Sequence, residues 1–135
     1  GLEVARRLNT RIVQARHVDE VLAIVHRYVG SLDHIHTTTC LHAIAKRAGH
    51  SNSSGTARSS SAQQMAVFRQ LLRRHTEHLQ NGRLDGRQLS NTIWAAATLY
   101  SSHTGAFVFP QVLLREAASL LERRVGSLNH QDVAN

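Results

Sequence analysis

The strongest constraint on the fold of this 135-residue chain is a short segment that occurs three times. The three copies are VGSLDHIHTTT (29–39), NGRLDGRQLSN (81–91) and VGSLNHQDVAN (125–135). Their alignment equates Leu32 with Leu84 and Leu128, and Thr39 with Asn91 and Asn135. The copies lie 52 and 44 residues apart, and the first interval falls to 39 when a thirteen-residue Ser-rich stretch is left out. A period near forty residues is typical of stacked helix pairs, although turns between short helices can also resemble one another by chance.

Apolar residues recur at three- and four-residue spacing through almost the whole chain, which predicts helices. The stretches with this pattern are 1–16, 18–29, 40–47, 62–79, 89–100 and 110–125. We expect four of them to end at glycines, namely Gly30, Gly49, Gly82 and Gly126. Pro110 suits the first turn of the last helix. No alternating run bounded by turn residues predicts a strand.

The fifth stretch carries the most informative pattern. Its predicted buried stripe is Leu89, Ile93, Ala96, Ala97 and Tyr100. Trp94 lies beside this stripe, and we interpret it as a core residue, with stacking on a nucleobase as the alternative.

These patterns predict an all-α fold, an α-solenoid of about 2.5 stacked antiparallel helix pairs. The first unit and an N-terminal helix occupy 1–48, a Ser-rich loop insertion occupies 49–61, and the second unit with the start of a third occupies 62–135. Because the last copy breaks off at Asn135, where its next helix is expected, we expect the chain to be a piece of a longer array. Residues 1–16 hold four arginines and one acid, so they read either as an amphipathic helix or as a transit peptide.

The chain is strongly basic. It has 16 Lys+Arg against 9 Asp+Glu, a formal net charge of +7, and Lys46 is its only lysine. The guanidinium of arginine can donate two parallel hydrogen bonds to a phosphate and stays charged. The excess of arginine over acidic residues therefore favours a polyanionic partner. One proline and one cysteine exclude collagen-like, disulfide-stapled and Cys-rich zinc scaffolds. No apolar run approaches the length of a membrane span.

Two segments resemble a known family. LSNTIWAAATLY (89–100) resembles the leucine-x-asparagine-threonine-x-tryptophan-alanine-x-alanine helix of octotricopeptide and heptatricopeptide repeats. Residues 8–49 resemble the first unit of such arrays, although Thr39 and His42 stand where the middle copy has Asn91 and Trp94. The resemblance implies an organellar protein, mitochondrial or alternatively plastid, whose partner is RNA. Some of these proteins are parts of organellar ribosomes, which implies ribosomal RNA and neighbouring ribonucleoprotein subunits as partners.

RNA binding by stacked helices needs cations for phosphates and polar side chains for bases. The candidate phosphate contacts are Arg69, Arg73, Arg74, Arg83, Arg87, Arg115, Arg123 and Arg124. Any one of these arginines can instead solvate an outer face, but acids on the two long helices are too few to pair them all. The candidate base contacts are His36, Thr39, Arg87, Asn91 and Asn135. The alternative for Asn91 and Asn135 is a helix cap or a hydrogen bond between units.

Catalytic and metal chemistry find little support in the sequence. His34 and His36, and His75 and His78, are closely spaced, but neither pair has a third ligand at a usual zinc spacing, so we interpret these imidazoles as surface groups. Cys40 lies on the apolar side of its helix, which predicts a buried, inert thiol. There is no phosphate loop, nucleophile elbow or carboxylate pair. We therefore expect an RNA-binding protein without enzymatic activity or cofactor, with a protein–protein scaffold as the alternative.

Overall fold

The computed structural model describes residues 1–50, 62–101 and 107–134, with the backbone alone at 49, 50 and 127–134. Its helices are α1 (Leu2–Gln14), α2 (Val18–Tyr28), α3 (His34–His50), α4 (Ala62–Gln80), α5 (Gly86–Ser101) and α6 (Gln111–Ala134). A 3-10 turn, Val29–Ser31, follows α2. These described ranges contain no strand, and the prediction of an all-α fold is confirmed. Most of the Ser-rich stretch, residues 51–61, and Asn135 lie outside the described residues.

Helix α3 is the centre of the packing. It contacts α1, α2, α4 and α5, while α2 also contacts α4, and α5 contacts α6. The largest fully buried side chains come from several of these helices and from the turns between them, and they include Ile12, Leu32, Leu41, Ile44, Phe68, Leu71, Leu84 and Leu89. Within the described ranges, no helix is both long and apolar enough to cross a membrane.

The first two copies of the repeated segment form the same local structure. Leu32 and Leu84 are buried, with 0% and 2% of their surface exposed. The aspartate that follows each leucine caps the next helix: Asp33 Oδ1 accepts from the backbone N–H of His36, and Asp85 Oδ1 from that of Gln88, both at 2.8 Å. The side chains of His36 and Gln88 accept in return from the aspartate backbone N–H, both at 3.0 Å. Each of these two copies is therefore a buried leucine followed by a capping box.

The α-helices end at two of the four predicted glycines, Gly30 and Gly82, and only Gly82 does so with positive φ. Gly82 has φ of 70° and closes α4 with hydrogen bonds from Gly82 N to Leu79 O and from Arg83 N to His78 O, both 3.0 Å. This pattern is a Schellman motif. The predicted stops at Gly49 and Gly126 are wrong, because α3 and α6 continue through both residues. Gly30 lies in the 3-10 turn after α2. Among the described glycines only Gly82 has positive φ, which is the backbone state that turns the chain out of a helix.

The buried side of α5 differs from the predicted stripe. The helix buries Leu89, Thr92, Ala95, Ala96 and Leu99, whereas Tyr100 is 89% exposed. Trp94, which we predicted to be a core residue, is 43% exposed. It follows Leu89 by five residues, about 140° around the helix, and so points away from the buried side.

Candidate nucleic-acid interface

Two aromatic rings stack on the surface where α3 and α5 meet. The imidazole of His42 and the indole of Trp94 have ring centroids 4.7 Å apart and an interplanar angle of 29°. His42 and Trp94 each lie three residues after the aligned ends of the first two copies, Thr39 and Asn91, and the packing of α3 against α5 brings them together. His42 is partly buried, while Trp94 keeps 43% of its surface exposed.

Polar side chains lie one helical turn before each of these rings. Thr39 precedes His42 by three residues, and Asn91 precedes Trp94 by three, which places each pair on one side of its helix. Both side chains are partly exposed. The Thr39 hydroxyl donates to Ile35 O at 2.8 Å and keeps its capacity to accept. Asp85 caps α5, so the alternative reading of Asn91 as a helix cap is wrong.

Helices α3 and α5 contain no acidic residue. Their only carboxylate neighbours in sequence are the capping residues Asp33 and Asp85, which precede the helices. Arg87 is exposed in the first turn of α5, one turn before Asn91, and Lys46 is exposed one turn after His42. We call Thr39, His42, Lys46, Arg87, Asn91 and Trp94 the α3–α5 face. Its charge is entirely positive.

Burial lowers the pKa of His42, and the neighbouring charges of Lys46 and Arg47 lower it further. The ring is therefore neutral at pH 7. A neutral imidazole against the indole leaves Lys46 and Arg87 as the charged groups of the α3–α5 face.

The arginines of α4 divide into two kinds. Arg69 and Arg73 are exposed and lie four residues apart, on one side of the helix. Arg74 is partly buried, and its guanidinium donates to Leu32 O at 3.1 Å and to Gly30 O at 3.3 Å. It also pairs with Glu77 at 3.2 Å. Arg74 thus joins the turn between α2 and α3 to α4 by hydrogen bonds. Fewer of its N–H donors remain for a phosphate.

His78 joins the two turns that carry the first two copies. Its Nε2 donates to Leu32 O at 3.0 Å, and its Nδ1 accepts from the guanidinium of Arg83 at 2.9 Å. Burial lowers the pKa of His78 against the opposing effect of the Leu32 carbonyl, and Arg74 and Arg83 lower it further. Arg83 is exposed beyond this bond. The side chain of Arg83 is thereby oriented by a buried histidine.

The remaining candidate arginines are on α6. Arg115, Arg123 and Arg124 are exposed, and Arg123 has a long contact of 3.5 Å with the Ser119 hydroxyl. The predicted cations therefore lie on three helices and one turn, and only Arg87 belongs to the α3–α5 face.

His36 has a structural position that removes it from the candidate base contacts. It is 2% exposed, its Nδ1 accepts from Asp33 N, and its Nε2 donates to Ala5 O at 2.7 Å. Both ring nitrogens are engaged by the protein. His36 links the start of α3 to α1, and a base cannot reach it in this structure.

The histidines of α4 are also not the surface groups that we predicted. His75 is fully buried, and its Nδ1 and Nε2 lie 2.9 Å from the hydroxyls of Thr37 and Thr92 respectively. Burial, with a smaller effect of His78, lowers the pKa of His75 to about 3. Thr92 donates its own proton to Gln88 O at 2.8 Å, so it accepts from His75 Nε2, and Thr37 donates to Nδ1. His75 is therefore a neutral bridge from α4 to both α3 and α5.

Cys40 is buried as predicted, and burial raises the pKa of its thiol to about 12. Within the part of the chain that the structure describes, no three His, Cys, Asp or Glu side chains are grouped to hold a metal ion.

The stacked rings and the lysine of the α3–α5 face were not among the predicted site residues. The signal that could have found the rings is the alignment of the copies extended by three residues, which then pairs His42 with Trp94 as it already pairs Thr39 with Asn91. No protein-family model matches the chain, and no curated protein or solved structure matches it.

Proposed function

We propose that this chain binds RNA through its exposed cations, without acting on it chemically. The observation that carries the proposal is the lack of carboxylate partners. Among the described side chains, arginine–carboxylate ion pairs join Arg7 to Glu3 and Arg74 to Glu77. No such pair engages the exposed arginines of α4, α5 and α6, which are Arg69, Arg73, Arg87, Arg115, Arg123 and Arg124.

Several acids are engaged in other ways, whereas Glu116 and Glu122 lie on α6 near its arginines and form no ion pair with them among the described side chains. Asp33 and Asp85 cap helices, and Asp19 accepts from Gln64 Nε2 at 2.6 Å. Glu20 accepts from the backbone N–H of Arg16 at 3.2 Å. Unpaired guanidiniums on a surface attract phosphates and release condensed counterions from the nucleic acid when they bind.

The helix contacts support an α-solenoid of antiparallel helix pairs as the architecture of this surface. Under this assignment the six helices form three successive pairs, against the 2.5 predicted from the sequence, with α1, α3 and α5 as the first helices and α2, α4 and α6 as the second. The contacts of α3 with α1 and α5, and of α2 with α4, are those expected between neighbouring units, whereas α1 with α2, and α4 with α6, have few contacts or none. The α3–α5 face would then belong to the row of first helices.

The resemblance of residues 89–100 to octotricopeptide and heptatricopeptide repeats supports a mitochondrial location, with the plastid as alternative. It also supports organellar RNA as the partner, ribosomal RNA included, in an assembly with neighbouring proteins. The role would be to stabilise or organise that RNA, and no enzymatic activity or cofactor is part of the proposal.

The test is an affinity titration with labelled single-stranded and hairpin RNA at about 50 and 200 mM salt. We expect affinity to fall steeply with salt. Changing Arg69 and Arg73 together to glutamine is expected to weaken binding and to reduce the slope of log affinity against log salt by about 2.

A matched pair of variants controls for net charge. R87Q and R7Q remove the same charge, but Arg7 is paired with Glu3, whereas Arg87 lies on the acid-free α3–α5 face. We expect R87Q to weaken RNA binding more than R7Q does. An affinity that does not change with salt, or no binding at low salt, contradicts the proposal.

A protein–protein scaffold is the second candidate. It is favoured by exposed apolar side chains at the end of α5 and around the start of α6, namely Tyr100, Val108 and Val112. The same titration separates the two functions, because a scaffold that contacts only protein binds no RNA at low salt.

A further inference from the structure

We propose that the ring pair His42–Trp94 is a stacking site for an unpaired nucleobase, so that the α3–α5 face binds single-stranded RNA. The inference rests on the proposed RNA-binding function and adds the kind of RNA and the place of contact.

The exposure of Trp94 is the first observation. An indole that is 43% exposed leaves apolar surface in contact with water, although the same helix buries Leu89, Ala95 and Leu99. The imidazole of His42 packs against the indole at 4.7 Å and an angle of 29°, which restrains its orientation. An aromatic ring held at the surface in a fixed orientation is a platform on which a base can stack.

The groups around the rings are the second observation. The amide of Asn91 and the hydroxyl of Thr39 lie one turn before the rings, and an amide can both donate to and accept from a base edge. Lys46 follows His42 by four residues, and Arg87 precedes Trp94 by seven, about 6 Å and 10 Å along the helix axes. Stacking, hydrogen-bonding and phosphate-binding groups therefore occur on one face.

Charge identifies the occupant. With no acidic residue in α3 or α5, the face complements a polyanion and does not complement a basic peptide. A polyanion that also offers flat aromatic groups is a nucleic acid whose bases are unpaired, because the bases of a duplex are stacked on each other and closed to the indole.

The chain offers a direct readout, since Trp94 is its only tryptophan. We would titrate the intact protein at low salt with an oligouridylate of about ten nucleotides and follow indole fluorescence. An abasic oligomer of the same length, a fully paired RNA duplex and polyglutamate are the comparison ligands. We expect the oligouridylate to quench the emission of Trp94, and the three others to leave it nearly unchanged.

Variants separate base contact from phosphate contact. W94A is expected to weaken oligouridylate binding about tenfold, the scale of one base–aromatic stack, and to leave the affinity for the abasic oligomer unchanged. W94F, which keeps a ring, is expected to recover part of this loss. Y100A removes another exposed aromatic side chain from the same helix and is expected to bind like the unaltered protein.

Each outcome decides between the two proposals. Two outcomes overturn the stacking site and leave the proposed function intact. The first is RNA binding whose affinity falls steeply with salt but without quenching of Trp94 emission. The second is an equal loss of oligouridylate affinity in W94A and Y100A. Quenching by polyglutamate equal to that by RNA overturns it in favour of an acidic protein partner. Absence of any RNA binding at low salt overturns both. The quenching experiment needs no variant, so a folding defect in W94A does not prevent the test.

Discussion

His75 donates from Nε2 to the hydroxyl of Thr92, 2.9 Å away, and this bond joins α4 to α5 inside the core. On its other side the same ring accepts from Thr37 of α3. A neutral imidazole thus connects three helices, and the stability of the fold depends on that ring remaining neutral.

The first prediction concerns pH. The pKa of His75 is about 3 in the folded protein and about 6.5 in an unfolded chain, so between these values the unfolded state binds more protons. Its contribution to stability is complete above about pH 6.5 and is lost as the pH falls. We expect the free energy of unfolding to drop by roughly 2 kcal/mol between pH 7 and pH 5 from His75 alone, and the lowered pKa values of His42 and His78 act in the same direction. Urea denaturation at the two pH values measures the drop, and equal stability at both would contradict the prediction.

The second prediction concerns Thr92, whose hydroxyl accepts the hydrogen bond from His75 Nε2. T92V keeps the shape of the side chain but leaves the buried Nε2–H of His75 without an acceptor, which is expected to destabilise the fold by about 1–3 kcal/mol. T10V is a close control. The hydroxyls of both threonines donate to the carbonyl four residues earlier, Gln88 for Thr92 and Arg6 for Thr10, but Thr10 is exposed. Chemical denaturation should show a much smaller loss for T10V, and similar losses for both variants would assign the effect to the helix rather than to His75.

The third prediction concerns the two capping boxes. D33A and D85A each remove the oxygen that accepts from the start of the next helix, and each is expected to cost about 1 kcal/mol. D85N keeps an acceptor at the same place and is expected to lie within a few tenths of a kcal/mol of the unaltered protein. If D85N is as destabilising as D85A in urea denaturation, the effect comes from the charge and not from the cap.

The fourth prediction uses two glycines with opposite expectations. At Gly82 an added Cβ meets no atom, but φ of 70° disfavours any other residue, so G82A is expected to cost about 1 kcal/mol. Gly86 starts α5 with helical φ and also has open space, so G86A is expected to stabilise by about 0.4–1 kcal/mol. Thermal unfolding measures whether each variant is more or less stable than the unaltered protein. A loss of stability in G86A would contradict the helical geometry at the start of α5.

Much of the fold follows from the sequence because most helices carry a clear apolar spacing. The six helices and the turn at Gly82 were predictable on that basis, although α3 begins at His34, six residues before the predicted stretch 40–47. The buried side of α5 was not, because a polar residue, Thr92, takes a core position through its bond to His75, while Tyr100 is left outside. A prediction from apolar spacing counts Thr92 as polar and Tyr100 as apolar. It therefore assigns the wrong side of α5 to the core and places Trp94 next to that side. Buried histidines cause the same error on α4, where His75 and His78 find hydrogen-bond partners that only the folded chain supplies.

The positive charge of the candidate site was predictable from the sequence, but which of its side chains are accessible to a ligand was not. Counting arginines and acids indicates a basic surface, but the count cannot show that Arg74 is tied to the turn before α3 or that His36 is enclosed. His36 leaves the set of candidate contacts because it is enclosed, and Arg74 keeps fewer free donors because its guanidinium is bonded within the protein. Trp94 enters the set because its indole is exposed and stacked on His42.

The bonds from Leu32 through His78 to Arg83 run from one inter-helix turn to the next. These two hydrogen bonds restrain the neighbouring turns relative to each other before any ligand binds. An RNA bound as we propose would have to match the spacing between these two turns. Because the protein has already lost that freedom on folding, the entropy cost of ordering falls mainly on the RNA, which favours segments that are already extended.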